Sequence, residues 1–191
     1  MARVLVPLAA GFEEIEAVTI VDVLRRADVE VVVAGIPAAG PVTGSHAIIL
    51  YAPVALAGVA NLAFDLVVLP GGEPGTTNLA ADADLAALID RHAAAGRPLA
   101  AICAAPRVLA AHGLLRDRSA TSHPSVEAQL RAAGARYETA RVVHADGVLT
   151  SRGPGTALEF ALALLELLGL HDRAATLRVA MLAADAVPRS G

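Results

Sequence analysis

Asp65-Leu66-Val67-Val68-Leu69-Pro70-Gly71-Gly72 is four apolar residues in a row, opened by an acid and closed by proline and two glycines. A strand with one face in water alternates apolar and polar side chains. A strand this uniform is buried on both faces, as in a parallel sheet between helical layers. Upstream, Val4-Leu5-Val6 and Val31-Val32-Val33 repeat the pattern, and Leu99-Ala100-Ala101-Ile102 repeats it downstream. These strands alternate with helical stretches. The fold class read from this order is α/β, with a mainly parallel sheet and helices on both sides.

The intervening segments fill out that plan. The first strand is expected to turn at Pro7 to Gly11. Residues 13–27 have Ile15, Val18, Val21 and Leu24 near helical spacing, which reads as the apolar stripe of a helix. Residues 41–51 read as a hairpin turning at Gly44-Ser45, and 82–95 as a helix. A further helix is expected at 106–112, directly after the 99–102 strand. Asp146-Gly147 between Val142-Val143 and Val148-Leu149-Thr150 is a two-residue hairpin signal. The long helix 154–168 opens with Pro154 and has Thr156 three residues before Glu159, the spacing of a capping box. With 191 residues, no internal repeat and no linker, the chain reads as a single domain over 1–191. Its tail, 171–191, is expected to add a helix at 174–184 before a loose Pro188-Arg189-Ser190-Gly191 end.

Composition removes several function classes. Lysine is absent and all 15 basic residues are arginine, so neither Schiff-base chemistry nor a Walker A loop is available. The net charge is −4 with no basic cluster, so the electrostatic footprint of nucleic-acid binding is missing. No apolar run reaches the roughly 18 to 20 residues of a membrane span, and the N-terminus lacks a signal-peptide core, so a cytoplasmic protein is expected. One cysteine permits no intrachain disulfide and no cysteine-based zinc cluster, and it suits a reducing compartment. The six histidines show no ligand spacing, so neither a metal site nor a cofactor is expected.

Chemistry in such a fold collects at the carboxyl ends of the strands. Three segments fall there: Gly11-Phe12-Glu13-Glu14-Ile15-Glu16, Pro70-Gly71-Gly72-Glu73-Pro74-Gly75, and Ala101-Ile102-Cys103-Ala104-Ala105-Pro106. Cys103 lies at a strand-to-helix junction among small alanines, the composition of a nucleophile elbow. A helix start would lower its pKa. Free cysteine is also a frequent inert core residue, and that reading stands beside the reactive one. Gly71-Gly72 fits an ordinary turn as well as a pair whose amides approach an oxyanion. Glu16 fits a solvated first-turn acid, and His123 a loop histidine.

Together these segments resemble the ThiJ/PfpI superfamily, in particular its YajL-like branch, which includes the parkinsonism-associated protein deglycase. The matching pieces are Gly11 to Ala17, Asp22 to Arg26, Asp65 to Gly72, Ala100 to Ala104, Ser122-His123-Pro124 and Leu149 to Thr156. They run in family order from Val4 to Leu168 and fade over the tail. The resemblance implies a flavodoxin-like three-layer α/β/α sandwich, usually a homodimer, with Cys103 as nucleophile. It implies that Glu16 holds a shared proton against the sulfur, that His123 lies nearby as a third catalytic residue, and that Gly72 and Ala104, with Gly71 beside them, supply backbone amides for an oxyanion. A carboxylic acid buried against a thiolate is expected to have a raised pKa and so to donate a hydrogen bond.

Departures narrow the activity. The PfpI proteases place a histidine directly after the cysteine, where this chain has Ala104. Class I glutamine amidotransferases use a His-Pro-Glu arrangement, but here Pro124 is followed by Ser125. Isocyanide hydratases carry aspartate where Glu16 stands. Two functions stay open. One is a cofactor-independent glyoxalase or protein deglycase acting on methylglyoxal, glyoxal or a glycated protein. The other is a sensor of oxidative stress, or a redox-regulated chaperone, in which Cys103 oxidises to a sulfinate held by Glu16.

Overall fold

The computed structural model describes residues 1–183. In chain order its elements are β1 (Arg3–Ala9), α1 (Glu14–Arg26), β2 (Glu30–Ile36), β3 (Gly40–Thr43), β4 (Ile49–Ala52), β5 (Val54–Ala55), α2 (Leu56–Val59) and β6 (Leu66–Leu69). They continue with α3 (Gly75–Ala81), α4 (Ala83–Ala94), β7 (Leu99–Ile102), α5 (Pro106–Ala111), β8 (Ser119–Ala120), α6 (Glu127–Ala132) and β9 (Arg136–Tyr137). The last are β10 (Val142–Ala145), β11 (Val148–Ser151), α7 (Ala157–Leu167) and α8 (His171–Ala180). Among these residues, no helix is long and apolar enough to cross a membrane.

Seven strands form the central sheet in the order β10-β11-β7-β6-β1-β2-β5. Every pair in it is parallel except β10–β11, the edge hairpin that turns at Asp146-Gly147. Both turn residues have positive φ, 47° and 78°, the geometry that a two-residue hairpin requires. The uniform strands are buried on both faces. Val4, Val6, Leu66, Val68, Ala100 and Ile102 point to one side, where they meet Ile20, Val23 and Leu24 of α1 and Phe160 and Leu164 of α7. Leu5, Val67, Leu69, Leu99 and Ala101 point to the other, where they meet Leu85 and Ile89 of α4, Leu109 of α5 and Leu130 of α6. The result is a flavodoxin-like three-layer α/β/α sandwich.

Four local expectations are corrected. Strand β1 does not turn at Pro7. It pairs with β2 through Pro7↔Ala34 to Ala9↔Ile36, whereas its pairing with β6 ends at Leu5. Beyond Leu5 that flank has no ladder for the missing proline N–H to interrupt.

In α1 the core face is Glu16, Ala17, Ile20, Val23 and Leu24, while Ile15 and Val18 are exposed. The helix buries a face that includes carboxylates, which a search for apolar spacing passes over.

Thr156 makes no cap bond to α7. Its Oγ1 instead accepts from Gly153 N at 3.1 Å and pairs with Ser151 Oγ at 2.7 Å, while Glu159 binds Arg141.

Finally, α8 begins at His171, straight after the Gly169 turn (φ 76°), and ends at Ala180. The expected helix end at Ala184 and the terminal Pro188-Arg189-Ser190-Gly191 lie outside the described residues.

Candidate active site

From β1 the chain builds outward through β2 to β5, then returns to the other side of β1 with β6, β7 and β11. This reversal between β1 and β6 is the switch point at which open α/β sheets place their sites, at the carboxyl ends of those strands. The loop after β1 leads into α1 and Glu16. The loop after β6 holds Gly71 and Gly72, and β7 runs directly into Cys103.

Cys103 has φ 64°, a left-handed conformation that costs a non-glycine residue about 1–2 kcal/mol. Neighbouring backbone holds it there. Its N–H donates to Ser151 O at 3.0 Å, its C=O accepts from His123 N at 2.8 Å, and Ala105 N donates to Ile102 O at 3.0 Å. Ala101, Ala104 and Ala105 are all buried, so nothing larger crowds the turn, and the thiol stays partly exposed. A strained turn braced on both sides aims the sulfur out of the strand end.

Glu16 comes from the first turn of α1. Glu13 caps that helix, its carboxylate accepting from Glu16 N at 2.7 Å. The Glu16 side chain is fully buried. Its Oε2 accepts from Gly71 N at 2.8 Å; Oε1 has no hydrogen-bond partner among the described residues, and the side chains that act on the carboxyl are Glu13 and the Cys103 thiol. Gly71 sits wedged between the two. A β-carbon built there would lie 2.5 Å from Cys103 Cβ, 2.8 Å from Glu16 Oε2 and 2.9 Å from Ile102 O.

Burial, with the nearby Glu13 charge adding to it, pushes the Glu16 carboxyl up to about 8 against the Gly71 hydrogen bond. It therefore keeps its proton near neutral pH, as the burial argument expects. The expectation of a lowered thiol pKa is corrected. Burial is the largest influence on Cys103 and, with Glu16 ionised beside it, pushes the thiol up to about 12. The helix start does little because α5 begins three residues further on, and its first residue is a proline without an N–H. The groups that favour a sulfur anion are the Gly72 and Ala104 amides. Glu16 opposes that anion only while it is itself ionised. Protonated, it becomes a donor to sulfur, so the first proton to leave belongs to the pair.

The other sequence candidates are placed as follows. The Gly71 amide is occupied by Glu16, which leaves those of Gly72 and Ala104 directed at the sulfur. His123 adjoins Cys103 through its backbone, but its exposed ring bonds Ser125, with Nδ1 2.8 Å from Ser125 Oγ and accepting from Ser125 N at 3.2 Å. Glu13 and Ser151 support the site and were not singled out from sequence. Glu13 looks like one of three first-turn acids, and Ser151 contributes only a carbonyl.

Glu13, Glu14 and His46 bring three potential ligand atoms within 4.8 Å of one another. The Glu14 oxygens and Glu13 Oε2 already accept protein hydrogen bonds, so the cluster is satisfied internally and is not an open cation site.

Fold and site define an α/β sandwich protein with a strand-end cysteine facing a buried, proton-holding carboxyl group. The chain belongs to the DJ-1/PfpI family, which residues 2–167 match. It is 43% identical over 165 residues to Protein DJ-1 homolog A of Arabidopsis thaliana, covering 86% of this chain and 42% of that protein. The chain thus spans under half the length of that relative. It is 40% identical over 156 residues to the Glutathione-independent glyoxalase DJR-1.2 of Caenorhabditis elegans, covering 82% of each. The crystal structure of Drosophila melanogaster DJ-1beta matches with a TM-score of 0.92 at 39% identity, over 96% of this chain and 99% of that one.

Proposed function

We propose that this chain is a cofactor-independent glyoxalase of the DJ-1 type, with Cys103 as nucleophile and Glu16 as proton carrier. The observation that carries the reading is the fully buried Glu16 carboxyl, held protonated to about 8 beside the only thiol. One proton leaves the Cys103–Glu16 pair for solvent, the sulfur anion adds to the aldehyde carbon of methylglyoxal or glyoxal, and Glu16 gives the remaining proton to the resulting oxyanion. This forms a hemithioacetal. Glu16, now a carboxylate, takes the proton from that carbon and delivers it to the neighbouring carbonyl carbon, while the hydroxyl proton of the hemithioacetal passes to that neighbour's oxygen, leaving a 2-hydroxy thioester. Water cleaves the carbon–sulfur bond, releasing lactate or glycolate and restoring the thiol. Gly72 and Ala104 amides stabilise the oxyanion. Adducts of the same dicarbonyls on a glycated protein offer the same carbon to the thiol. Ala104 brings no imidazole to the sulfur and the His123 ring is engaged with Ser125, so a PfpI-type protease is disfavoured. His123 instead steadies the Cys103 carbonyl through its backbone.

The test is methylglyoxal consumption without glutathione or added cofactor. Wild type is expected to turn over and Cys103→Ser to fall to background. An inactive, folded wild type sinks the reading.

A second reading is favoured by one feature: Gly72, Ala104 and protonated Glu16 are all donors around the sulfur, and sulfinate oxygens would accept the same bonds. Mild peroxide should then add two oxygens to Cys103 selectively, seen by mass spectrometry; scattered oxidation of the two methionines in its place would count against it.

We also infer a homodimer in a cytoplasmic, reducing setting. Ile15 and Val18 of α1 and Ile48, Ile49 and Tyr51 of the β3–β4 hairpin are 45–71% exposed, and Val18, Val21 and Tyr51 line one shallow hollow. Such a patch on one face marks an interaction surface. Ile49→Glu is expected to shift the protein to monomer in sedimentation velocity. A wild type that is monomeric at high concentration would remove this inference.

A further inference from the structure

The turn between β3 and β4, residues 44–48, is held by a single side chain from another element. Glu14 is the second acid of the α1 start and is 4% exposed. Its carboxylate accepts from Ser45 Oγ at 3.2 Å, His46 N at 2.6 Å, His46 Nδ1 at 2.9 Å and Ile48 N at 3.4 Å. A β-carbon at Gly44 would lie inside the Glu14 side chain, so the turn is closed against it.

From this anchor a continuous set of backbone bonds leads to the reacting pair. Gly11 N donates to Thr43 O and Ser45 N to Phe12 O, both at 2.8 Å, which fixes the segment 11–13 to the hairpin. On its other side, Glu13 N donates to Gly71 O at 2.8 Å, and Gly71 N donates to Glu16 Oε2 at 2.8 Å. The segment that leads into α1 is thus clamped between the hairpin turn and the glycine loop, three residues from the carboxyl that faces Cys103.

We propose that Glu14 is a positioning residue for the Cys103–Glu16 pair, acting through the β3–β4 turn that it anchors, and that His46 makes this positioning respond to pH. The proposal rests on the reading of Cys103 and Glu16 as the reacting pair. Glu14, in the first turn of α1, and Glu13, which caps that helix, are the ionisable groups that face His46. The hydrogen bond to Glu14, with the charges of Glu14 and Glu13, raises the His46 pKa above its ordinary 6.5. Burial of Glu14 is outweighed by its bonds from His46 and Ile48, so its carboxyl is lowered to about 2 and stays ionised through the titration of His46. A folded pKa raised above the unfolded one means the charged contact is complete below the unfolded value. It is lost as pH rises through the folded value. Above that point the anchor keeps its neutral hydrogen bonds but loses the ion pair, and the clamp on residues 11–13 slackens.

The chain has one cysteine, so alkylation of the whole protein by iodoacetamide, followed by mass, reports Cys103 alone. The rate is measured against pH for wild type, His46→Gln and Glu14→Gln, each checked by circular dichroism. The wild type is expected to show a separate inflection above the ordinary imidazole value, besides the main rise from the Cys103–Glu16 pair. His46→Gln should lack it, running about two- to fivefold slower on the acid side and matching wild type on the alkaline side, a span set by the worth of an exposed ion pair. Glu14→Gln should lose the inflection as well. His46 is exposed, so its variant keeps the fold and decides the matter even if Glu14→Gln does not fold. Superimposed profiles for wild type and His46→Gln overturn the proposal. Because the readout is the thiol and not turnover, an inactive wild type would defeat the glyoxalase reading while leaving this comparison decisive.

Discussion

Glu16→Gln is expected to lower methylglyoxal turnover by about 10²–10⁴-fold while leaving Cys103 open to alkylation at neutral pH and making the protein more stable in alkali. The three effects share one cause. Glutamine has the shape of the protonated acid, so its carbonyl oxygen can accept from Gly71 N, as Glu16 Oε2 does, and its amide can be turned to donate towards the sulfur. The sulfur anion keeps its donor, and alkylation persists. What is lost is the proton that must move on and off the side chain during turnover.

The stability effect follows from the raised carboxyl. An unfolded glutamate titrates at 4.5 and the folded one at about 8, so between those values the native state binds more protons than the unfolded state. Stability therefore falls as pH rises through this window, by roughly 3–5 kcal/mol once the folded group ionises. Glutamine has no proton to lose and removes that slope. Urea denaturation at acid and alkaline pH measures it. A variant no more stable than wild type above pH 8 would show that Glu16 is not held protonated by burial.

Gly71→Ala should be nearly as damaging to function, through geometry alone. The added methyl group would stand 2.5 Å from Cys103 Cβ and 2.8 Å from Glu16 Oε2. Neither neighbour can withdraw. Cys103 is held by Ser151 and His123 at its backbone, and Glu16 is packed in the core. The loop after β6 must shift, which breaks the Gly71 N–Glu16 bond and parts acid from thiol. Overpacking of this kind costs about 1–3 kcal/mol, and a displacement near 1 Å in a reacting pair about 10²-fold in rate. Thermal unfolding and single-turnover rates separate the two effects. An alanine variant with wild-type turnover would mean that the tight approach of the three strand ends is not needed for chemistry.

Most of the fold could be read from local sequence because its strands are buried on both sides. Leu66 to Leu69 and Leu99 to Ile102 have no polar residue to blur the pattern, and the Asp146-Gly147 turn has its own chemistry. Short elements escaped. The two-residue strands β5, β8 and β9 and the single-turn helix α2 are too brief to show any period, and they exist because neighbouring elements pair with them or cover them. The core face of α1 escaped for a different reason: apolar spacing selected Ile15 and Val18, which the fold leaves outside, and passed over Glu14 and Glu16, which it buries.

By itself the sequence determined the alternating α/β plan, the absence of lysine chemistry, and a lone cysteine at a strand-to-helix junction, since each is written in neighbouring residues or in composition. Only the tertiary structure decided the ionisation of the site. Glu16, Gly71 and Cys103 lie in three separate segments, joined by the strand reversal at β1 and β6. Burial there, which no local pattern records, keeps the acid protonated, raises the thiol, and makes the acid and two loop amides, and not the helix start, the donors that can favour a sulfur anion.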